Sequence, residues 1–398
     1  MKINSKEMTS IFYLSRVDLS VKRAHVHNIA KTCESLAKIK DVQMTLVSTS
    51  FRLKKTEKED FLKEHQIIQE FPIIVLNSFS NYLQWSRFRA INWLEVILAN
   101  FTLVRFLFTW RKKIDIIYFR DQHLFLAVLF GKYFLRKPVF FEVHAAKRKA
   151  HIQALLNLMV KNSDGIIAIS HALKRYYEKL NKNIIVAFCL ASQKEDFPYH
   201  KNKEELRQEL NLPLDKIIVG YTGRLDLRGV HSNYQVDKIV GALKFLPQEV
   251  LFLIIGGQER EAELLKKTAQ DLGVDAKLRV YPRLSRLKMP AYLLAFDILV
   301  IPKLGDLPGD SPAKMFEYLA AKRPIVAAKT EPVSEVLRHE ENALLVYPNT
   351  SEEWSKAIKR LINDEDLMNR ISQKAFKDSE QYTWQKRAER IAGFIAGK

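Results

Sequence analysis

Short apolar runs of strand length alternate with helix-like patterns along the whole chain. Runs of this kind, separated by amphipathic stretches, are typical of parallel strands that helices cover on both faces. The first half contains the runs 11–15, 42–48, 71–76, 114–120, 138–144, 165–170 and 183–188. The second half contains the runs 216–224, 250–257, 278–282, 297–303, 323–328 and 343–348. The pattern therefore predicts an α/β fold with two mostly parallel sheets.

A polar segment, residues 193–205, separates the two series of runs. A chain of 398 residues is long enough for two cores of ordinary size. We therefore expect two Rossmann-like, doubly wound domains over residues 1–195 and 200–378. Doubly wound sheets bind ligands at the carboxyl ends of their strands, so the chemistry is expected in the loops that follow the runs.

Positive charge is concentrated in the first half of the chain. The net charge is +19; residues 1–200 carry 32 Lys and Arg against 17 Asp and Glu, whereas residues 201–398 carry 32 against 28. Such a basic half attracts anionic membranes, nucleic acids or phosphorylated substrates, and a solvated Lys-rich surface has the same composition. Residues 90–112 are rich in Leu, Phe and Trp and end in a basic cluster, as interfacial helices and many core helices do.

Cysteine usage and the amino terminus bear on the cellular compartment. Cys33 and Cys189 form no C-x-x-C pair, so the sequence predicts neither a disulfide framework nor a zinc site. The amino terminus lacks the apolar region of a secretory signal, and no window contains 18 uninterrupted apolar residues. We expect a cytoplasmic protein that does not span a membrane.

The stretch "GYTGRLDLRG", residues 220–229, ends the first strand of the second half. Gly223 permits a sharp turn, and the guanidinium groups of Arg224 and Arg228 are suited to hold the oxygens of a diphosphate. The same arginines also fit a solvated polar loop. No G-x-G-x-x-G follows any strand, which argues against a nicotinamide or flavin dinucleotide.

A second candidate stretch, "GDSPAKMFEYLAAKRPIVAA", follows the strand at 297–303. Ser311 is a suitable N-cap and Pro312 a suitable first helical residue, so a helix is predicted from 311–312 to about 321, with an anion site at its first turn. Glu317 lies in an otherwise apolar pattern. Its carboxylate is suited to accept hydrogen bonds from the vicinal hydroxyls of a ribose; the alternatives are an exposed glutamate or one that pairs with Lys314 or Lys322.

The order of these pieces resembles a known family. The segments "GYTGRLDLRGV", "LFLIIGGQEREAELLKKTAQDLGV", "LRVYPRLSRLKMPAYLLAFDILVIP" and "DSPAKMFEYLAAKRPIVAAKTEPVSEVL" succeed one another as in retaining nucleotide-sugar glycosyltransferases, called glycosyltransferase group 1 or family four. The resemblance covers nearly all of residues 217–395 and is weaker before them. It implies the GT-B fold, in which two such domains face a central cleft, with the donor held by the second domain and the acceptor by the first. A closing helix at 380–398 would pack back on the first domain.

The resemblance implies roles for individual donor-site residues. Arg224 and Arg228 match the basic pair that neutralises the diphosphate, and Glu317 matches the acid expected at the ribose. The family's other acid falls at position 309, where this chain has Gly309 with Asp310 beside it. Either Asp310 replaces that acid, or backbone amides of the 305–311 loop do so, or the donor sugar differs; we favour the loop.

The same resemblance implies roles for further donor-site residues. Ser311 and Pro312 would place the anion-binding start of the helix. Arg283 lies where the family holds the nucleotide base. Lys314 is expected at the surface rather than at the ligand.

In the first half, the candidates for chemistry are strand-end side chains. His144 ends the run 138–144 and aligns with a histidine that family members place against the donor sugar; Glu142 is suited to orient it. The candidates for acceptor binding are His25, His27, Arg120 and His123.

The mechanism implied is transfer of a glycosyl group from a nucleoside diphosphate sugar to an acceptor hydroxyl, with retention at the anomeric carbon. The expected partners are the nucleotide sugar, a glycan or lipid-linked acceptor, and the anionic inner face of the cell membrane. Nucleic acid is not expected as a partner. The only D-x-D sequence, at 364–366, lies in a late polar stretch, so no metal or other cofactor is expected. A sugar-nucleotide epimerase or phosphorylase of the same fold and a basic nucleic-acid-binding protein are the alternatives.

Overall fold

The computed structural model describes residues 8–19, 24–49, 55–76, 89–189, 194–225, 234–304, 309 and 313–397. The described residues divide into two compact units. The first unit comprises those up to Cys189 together with Gly309 and those from Trp384 onwards, and the second comprises 194–304 and 313–383. The change of unit after Cys189 comes shortly before the polar segment in which the sequence predicts the boundary.

Each of the thirteen predicted runs contains a strand. The seven strands of the first unit are β1 (Thr9–Ser15), β2 (Val42–Ser48), β3 (Ile73–Val75), β4 (Ile116–Phe119), β5 (Val139–Val143), β6 (Gly165–Ala168) and β7 (Ile184–Val186). The six of the second unit are β8 (Ile217–Thr222), β9 (Val250–Ile255), β10 (Leu278–Tyr281), β11 (Ile298–Ile301), β12 (Ile325–Ala328) and β13 (Leu344–Val346).

Helices connect the strands in both units. Those of the first unit are α1 (Ala24–Ala37), α2 (Lys55–Glu64), α3 (Arg89–Trp110), α4 (Phe125–Leu129), α5 (Ala150–Lys161) and α6 (His171–Tyr177). Those of the second unit are α7 (Lys203–Glu209), α8 (Val236–Ala242), α9 (Glu259–Asp271), α10 (Met289–Ala295), α11 (Lys314–Ala320), α12 (Glu331–Ser334), α13 (Ser351–Asn363) and α14 (Glu365–Ser379). The last helix, α15 (Trp384–Ile395), belongs to the first unit.

All the strand pairs are parallel, which confirms the predicted fold class. The strand order is β3-β2-β1-β4-β5-β6-β7 in the first sheet and β10-β9-β8-β11-β12-β13 in the second. In each sheet the first strand, β1 or β8, lies in the interior of the sheet. The next two strands lie on one side of it and the remaining strands on the other, so the order of strands reverses between β1 and β4 and between β8 and β11. Doubly wound sheets bind ligands at such switch points, beyond the carboxyl ends of the two strands.

Both faces of each sheet are covered, as the continuous apolar runs predict. In β1, Phe12 and Leu14 join one buried cluster, whereas Ile11 and Tyr13 join the cluster on the opposite face. Successive side chains of a strand point to opposite faces, so a run without polar residues requires two buried faces.

The long helix α3 is only partly covered. Within the described residues, its window Trp93–Trp110 is long and apolar enough to cross a membrane by length and composition, and 39% of that window is buried. Leu94, Ile97, Phe101 and Phe108 are exposed and recur at helical spacing, so they form one apolar stripe on the outer face.

Candidate active site

Glycines follow two neighbouring strands, β8 and β9, at the carboxyl edge of the second sheet. Gly223 follows β8 with φ +130°, and Gly256 follows β9 with φ +136°. A Cβ added at Gly256 would overlap the carbonyl oxygen of Gly223, so the two strand-end loops touch through their backbones. Only glycine adopts these angles without strain at such close approach. The backbone is therefore open to a ligand at this edge of the sheet.

Arg224 extends from this edge into solvent. Its side chain is exposed, whereas its carbonyl oxygen accepts a hydrogen bond of 2.6 Å from the Tyr221 hydroxyl. The ring of Tyr221 is buried beneath the loop, which fixes the backbone at Arg224 while its guanidinium stays accessible. Arg228, the other predicted diphosphate ligand, lies outside the described residues.

Glu317 is buried in α11 and pairs with an arginine that sequence reasoning missed. It is 8% exposed, and its Oε1 lies 2.8 Å from a guanidinium nitrogen of Arg286. This pairing replaces the predicted alternatives, Lys314 and Lys322. Arg286 is in the loop region after β10, three residues beyond Arg283, which is exposed. The pairing holds a carboxylate at a buried position, since a buried acid needs a compensating charge.

The expectation that Lys314 lies at the surface is wrong. Its Nζ is buried and has no hydrogen-bond partner among the residues that the structure describes. It lies over the ring of Tyr221, 3.7 Å from the ring centroid, and a Cβ added at Gly223 would come within 2.7 Å of it. Helix α11 begins at Lys314 rather than at 311–312, and the predicted cap residues Ser311 and Pro312, like Asp310, lie outside the described residues.

In the first unit, His144 and Glu142 form a hydrogen-bonded pair at the end of β5. Nε2 of His144 lies 2.6 Å from Oε1 of Glu142, and Glu142 also accepts a hydrogen bond from the Tyr118 hydroxyl. Arg387 of α15 lies 2.9 Å from the same Oε1 and is 5% exposed. The carboxylate of Glu142 thus joins a strand end to the carboxyl-terminal helix.

The charges of this cluster decide which nitrogen of His144 carries a proton. Burial alone would raise the pKa of Glu142, but the charge of Arg387 and the hydrogen bond from His144 hold that pKa well below its usual range. Burial, with the charge of Arg120, lowers the pKa of His144 to about 4. At neutral pH a neutral imidazole therefore donates from Nε2 to ionised Glu142, which leaves Nδ1 as a hydrogen-bond acceptor.

Gly309 groups with the first unit and lies against the backbone of His144. It is buried with φ +93°, and a Cβ added there would lie 2.6 Å from the His144 carbonyl oxygen. A longer side chain at this position would meet the backbone of His144 and Ala145 as well as the side chain of Leu173. The chain therefore has no room for a glutamate at position 309, where the family resemblance expects an acid.

The four predicted acceptor residues lie in different surroundings. Arg120 follows β4 and its guanidinium lies 3.4 Å from the carbonyl oxygen of His25, so these two residues are neighbours. His27 is only 2% exposed and packs against the rings of His65 and Trp384. This burial argues against the predicted contact between His27 and an acceptor.

His123 lies beside a cavity of about 460 Å³ in the first unit. Its Nδ1 is 2.8 Å from Oδ1 of Asp121; burial would raise the pKa of Asp121, but the hydrogen bonds from His123 and the charge of Arg16 lower it to about 2. The cavity is lined mainly by apolar side chains of α3 and α5: Trp93, His123, Phe125, His151, Ile152, Ala154, Leu155 and Leu158. Apolar walls with a few polar groups are typical of ligand sites.

Comparison with known proteins identifies the family of the second unit. A family model described as glycosyl transferases group 1 matches residues 202–378, which include β8 to β13. Residues 202–378 form a group 1 glycosyltransferase domain. This group 1 domain contains Gly223, Arg224, Arg286, Lys314 and Glu317, so each strand-end feature of the second unit lies within the matched residues.

Two curated relatives are similar to this domain. The chain is 28% identical over 190 residues to a D-inositol 3-phosphate glycosyltransferase of Xylanimonas cellulosilytica, a match of 46% of this chain and 43% of that protein. It is 27% identical over 169 residues to the lipopolysaccharide core biosynthesis glycosyltransferase LpsE of Rhizobium meliloti, 42% of this chain and 46% of that protein. The match therefore spans less than half the length of these relatives.

Solved structures match both units. The structure of HepE from Anabaena in complex with UDP and glucose superposes with a TM-score of 0.75 at 16% identity, covering 98% of this chain and 100% of that one. Sucrose-phosphate synthase from Thermosynechococcus elongatus superposes with a TM-score of 0.74 at 15% identity, covering 98% of each chain. The chain has the GT-B fold that the family resemblance implies.

Proposed function

We propose that this chain transfers a glycosyl group from a nucleoside diphosphate sugar to an acceptor hydroxyl. The observation that carries the proposal is the switch point of the group 1 domain, where a glycine-built edge, Arg224 and the buried Glu317 lie on consecutive strand-end loops and on α11. The complex of Anabaena HepE with UDP-glucose supports a nucleotide sugar as the donor.

In the proposed reaction, the bond between the anomeric carbon and the diphosphate breaks as the acceptor oxygen attacks. Negative charge grows on the leaving diphosphate, and the guanidinium groups of Arg224 and Arg228 would stabilise it without a metal ion. Glu317 would accept hydrogen bonds from the ribose, with Arg286 holding its carboxylate in place. His144 would offer Nδ1 to a hydroxyl of the transferred sugar. Retention of anomeric configuration is part of the proposal.

Binding of sugar nucleotides tests the donor. We expect one of the UDP-, GDP-, ADP- and CMP-sugars to raise the melting temperature, and Glu317→Gln to weaken its binding by about 10- to 100-fold, since hydrogen bonds to charged groups contribute about 1.5–3 kcal/mol. Glu263→Ala, an exposed acid on α9, is the matched control and should bind as the wild type does. An unchanged affinity in Glu317→Gln would refute the ribose role.

Product analysis tests the reaction itself. Phosphorylated polyols and lipid-linked glycans are the acceptors to try first, because the relatives carry the names D-inositol 3-phosphate glycosyltransferase and lipopolysaccharide core glycosyltransferase. A glycosylated acceptor supports transfer. An isomerised nucleotide sugar, a sugar phosphate, or oligonucleotide binding without any sugar-nucleotide binding would support the alternative functions.

We further propose that α3 docks the protein on an anionic membrane. Its exposed apolar stripe, with Phe101 62% and Phe108 48% exposed, continues into Arg111, Lys112 and Lys113 at the helix end. A helix with this combination lies in the interface, with its apolar side chains among acyl chains and its cations near anionic headgroups. A surface-bound enzyme would meet a lipid-linked acceptor at the apolar cavity beside α3.

Vesicle flotation tests the membrane proposal. We expect the protein to bind phosphatidylglycerol vesicles at low salt and to be released as salt is raised, because screening weakens attraction between exposed charges. Phe101→Ser should weaken binding several-fold, whereas Phe245→Ser, which changes a phenylalanine 43% exposed in the second unit, should not. Equal binding of the two variants would exclude α3 as the docking surface.

A further inference from the structure

The side-chain amine of Lys314 is an unusual polar group in the described part of the second unit. Its Nζ is buried and, among the residues that the structure describes, donates no hydrogen bond to a carboxylate or to any other acceptor. A buried, unpaired amine is unfavourable in its charged form, because nothing replaces the solvation that the charge loses on burial. Buried polar groups are normally satisfied, so this one requires an explanation.

The position of Lys314 connects it to the ligand edge of the sheet. Nζ lies against Gly223, within 2.7 Å of the place where a side chain would begin, and so sits beneath the loop that follows β8. The ring on which it rests belongs to Tyr221, whose hydroxyl holds the carbonyl of Arg224. The amine thus lies at the β8/β11 switch point, next to the arginine expected at the diphosphate.

Among the residues that the structure describes, the groups facing Nζ do not neutralise a positive charge. Tyr221 and Tyr234 present ring faces at 3.7 and 5.7 Å, and Lys303 adds repulsion. Glu317 is the acid that attracts it, but that carboxylate already pairs with Arg286. Burial therefore dominates and, with the charge of Lys303, holds the pKa of Lys314 well below its usual range.

We propose that Lys314 is an anion-responsive lysine of the donor site, which takes up a proton when the diphosphate of a nucleotide sugar binds beside Gly223. The inference rests on the proposed function and deepens it. In the free protein the amine is neutral, so no uncompensated charge is buried. The bound diphosphate supplies the missing counter-charge, and the protonated amine then stabilises the same oxygens that gain negative charge as the glycosidic bond breaks.

This coupling fixes the direction of the pH dependence. Because binding raises the pKa of Lys314 from its low value in the free protein, complex formation takes up a proton at any pH between the free and bound pKa values. Affinity is therefore greatest below the free pKa and falls as pH rises towards the bound pKa. A nucleotide sugar has no phosphate that titrates in the neutral range, so the proton is not taken up by the ligand.

Calorimetry with UDP-glucose, GDP-mannose and ADP-glucose tests the proposal. Titrations in two buffers of different ionisation enthalpy report the protons exchanged on binding. We expect the wild type to take up close to one proton, and Lys314→Met to take up none and to bind about 10- to 100-fold more weakly, as for loss of a charged hydrogen bond. Lys314→Arg, which stays charged, should bind without proton uptake.

Lys322→Met is the matched control, because Lys322 also lies over aromatic rings, 4.5 Å from those of Tyr199 and Phe376, but is exposed at the far end of α11. It should bind and take up a proton as the wild type does. Nucleotide-sugar binding with equal affinity and no proton uptake in both wild type and Lys314→Met would overturn the role of Lys314 and leave the proposed function standing. Failure of the wild type to bind these three and every other UDP-, GDP-, ADP- and CMP-sugar of the donor panel would overturn both.

Discussion

Replacing Arg387 with methionine is expected to destabilise the first unit by about 3–5 kcal/mol, the usual effect of removing one partner of a buried ion pair. Arg387 lies 2.9 Å from Glu142 and also donates hydrogen bonds to the Phe188 carbonyl and the Thr32 hydroxyl. Methionine retains much of the side-chain volume but leaves Glu142 buried without its positive partner. Urea unfolding of the full chain measures the loss.

The pH dependence of that loss identifies the ion pair as its cause. In the wild type the folded-state pKa of Glu142 is lowered, so its contribution to stability is fully present above the unfolded pKa and is lost as pH falls through the lowered folded pKa. Without Arg387 burial dominates, the pKa of Glu142 rises, and the variant instead gains stability on protonation. The difference in unfolding free energy should therefore be smaller at mildly acidic pH than at neutral pH.

Two further variants control this experiment. Glu142→Gln in the Arg387→Met background should recover part of the lost stability, because the unpaired charge is removed while an acceptor oxygen remains. Arg390→Met removes an exposed arginine from the same helix, with its hydrogen bond to the Val186 carbonyl, and should change the unfolding free energy by less than about 1 kcal/mol. Equal losses for both arginines, unaffected by pH, would contradict a dominant Arg387–Glu142 pair.

The strands were predictable because their signal is local. A continuous apolar run needs both faces covered, which a parallel sheet between helices provides, and every predicted run contains a strand. The residues at which the strands end were less predictable. The run 216–224 was expected to remain extended to Arg224, but β8 stops at Thr222 because Gly223 turns away with a positive φ that no strand residue adopts.

The partners in the candidate site could not be predicted in this way. The apolar pattern around Glu317 indicates that it is buried. The pattern does not predict that Arg286, which lies in a separate loop, is its ion-pair partner. Arg387 reaches Glu142 from the last helix of the chain. Lys314 was the exception, since a signal existed: it lies three and four residues before Glu317 and Tyr318, on the same buried side of a short helix.

The second large effect is expected for Arg224→Ala, with a fall in kcat of about 10²- to 10³-fold, as for removal of one preorganised charge-stabilising group from a transition state. The diphosphate carries more negative charge in the transition state than in the bound donor. A guanidinium beside it therefore stabilises the transition state more than the ground state, which raises kcat rather than only lowering KM.

The structure makes Arg224→Ala a specific test, because the loop does not depend on the side chain that is removed. Tyr221 holds the carbonyl oxygen of residue 224, a contact that alanine retains, and the guanidinium itself is exposed. Arg279→Ala, an exposed arginine on β10, controls for loss of positive charge from the same unit and should leave kcat unchanged. A rise in KM with unchanged kcat would mean that Arg224 binds donor and transition state equally, and stabilisation of the leaving diphosphate would then have to come from other cations.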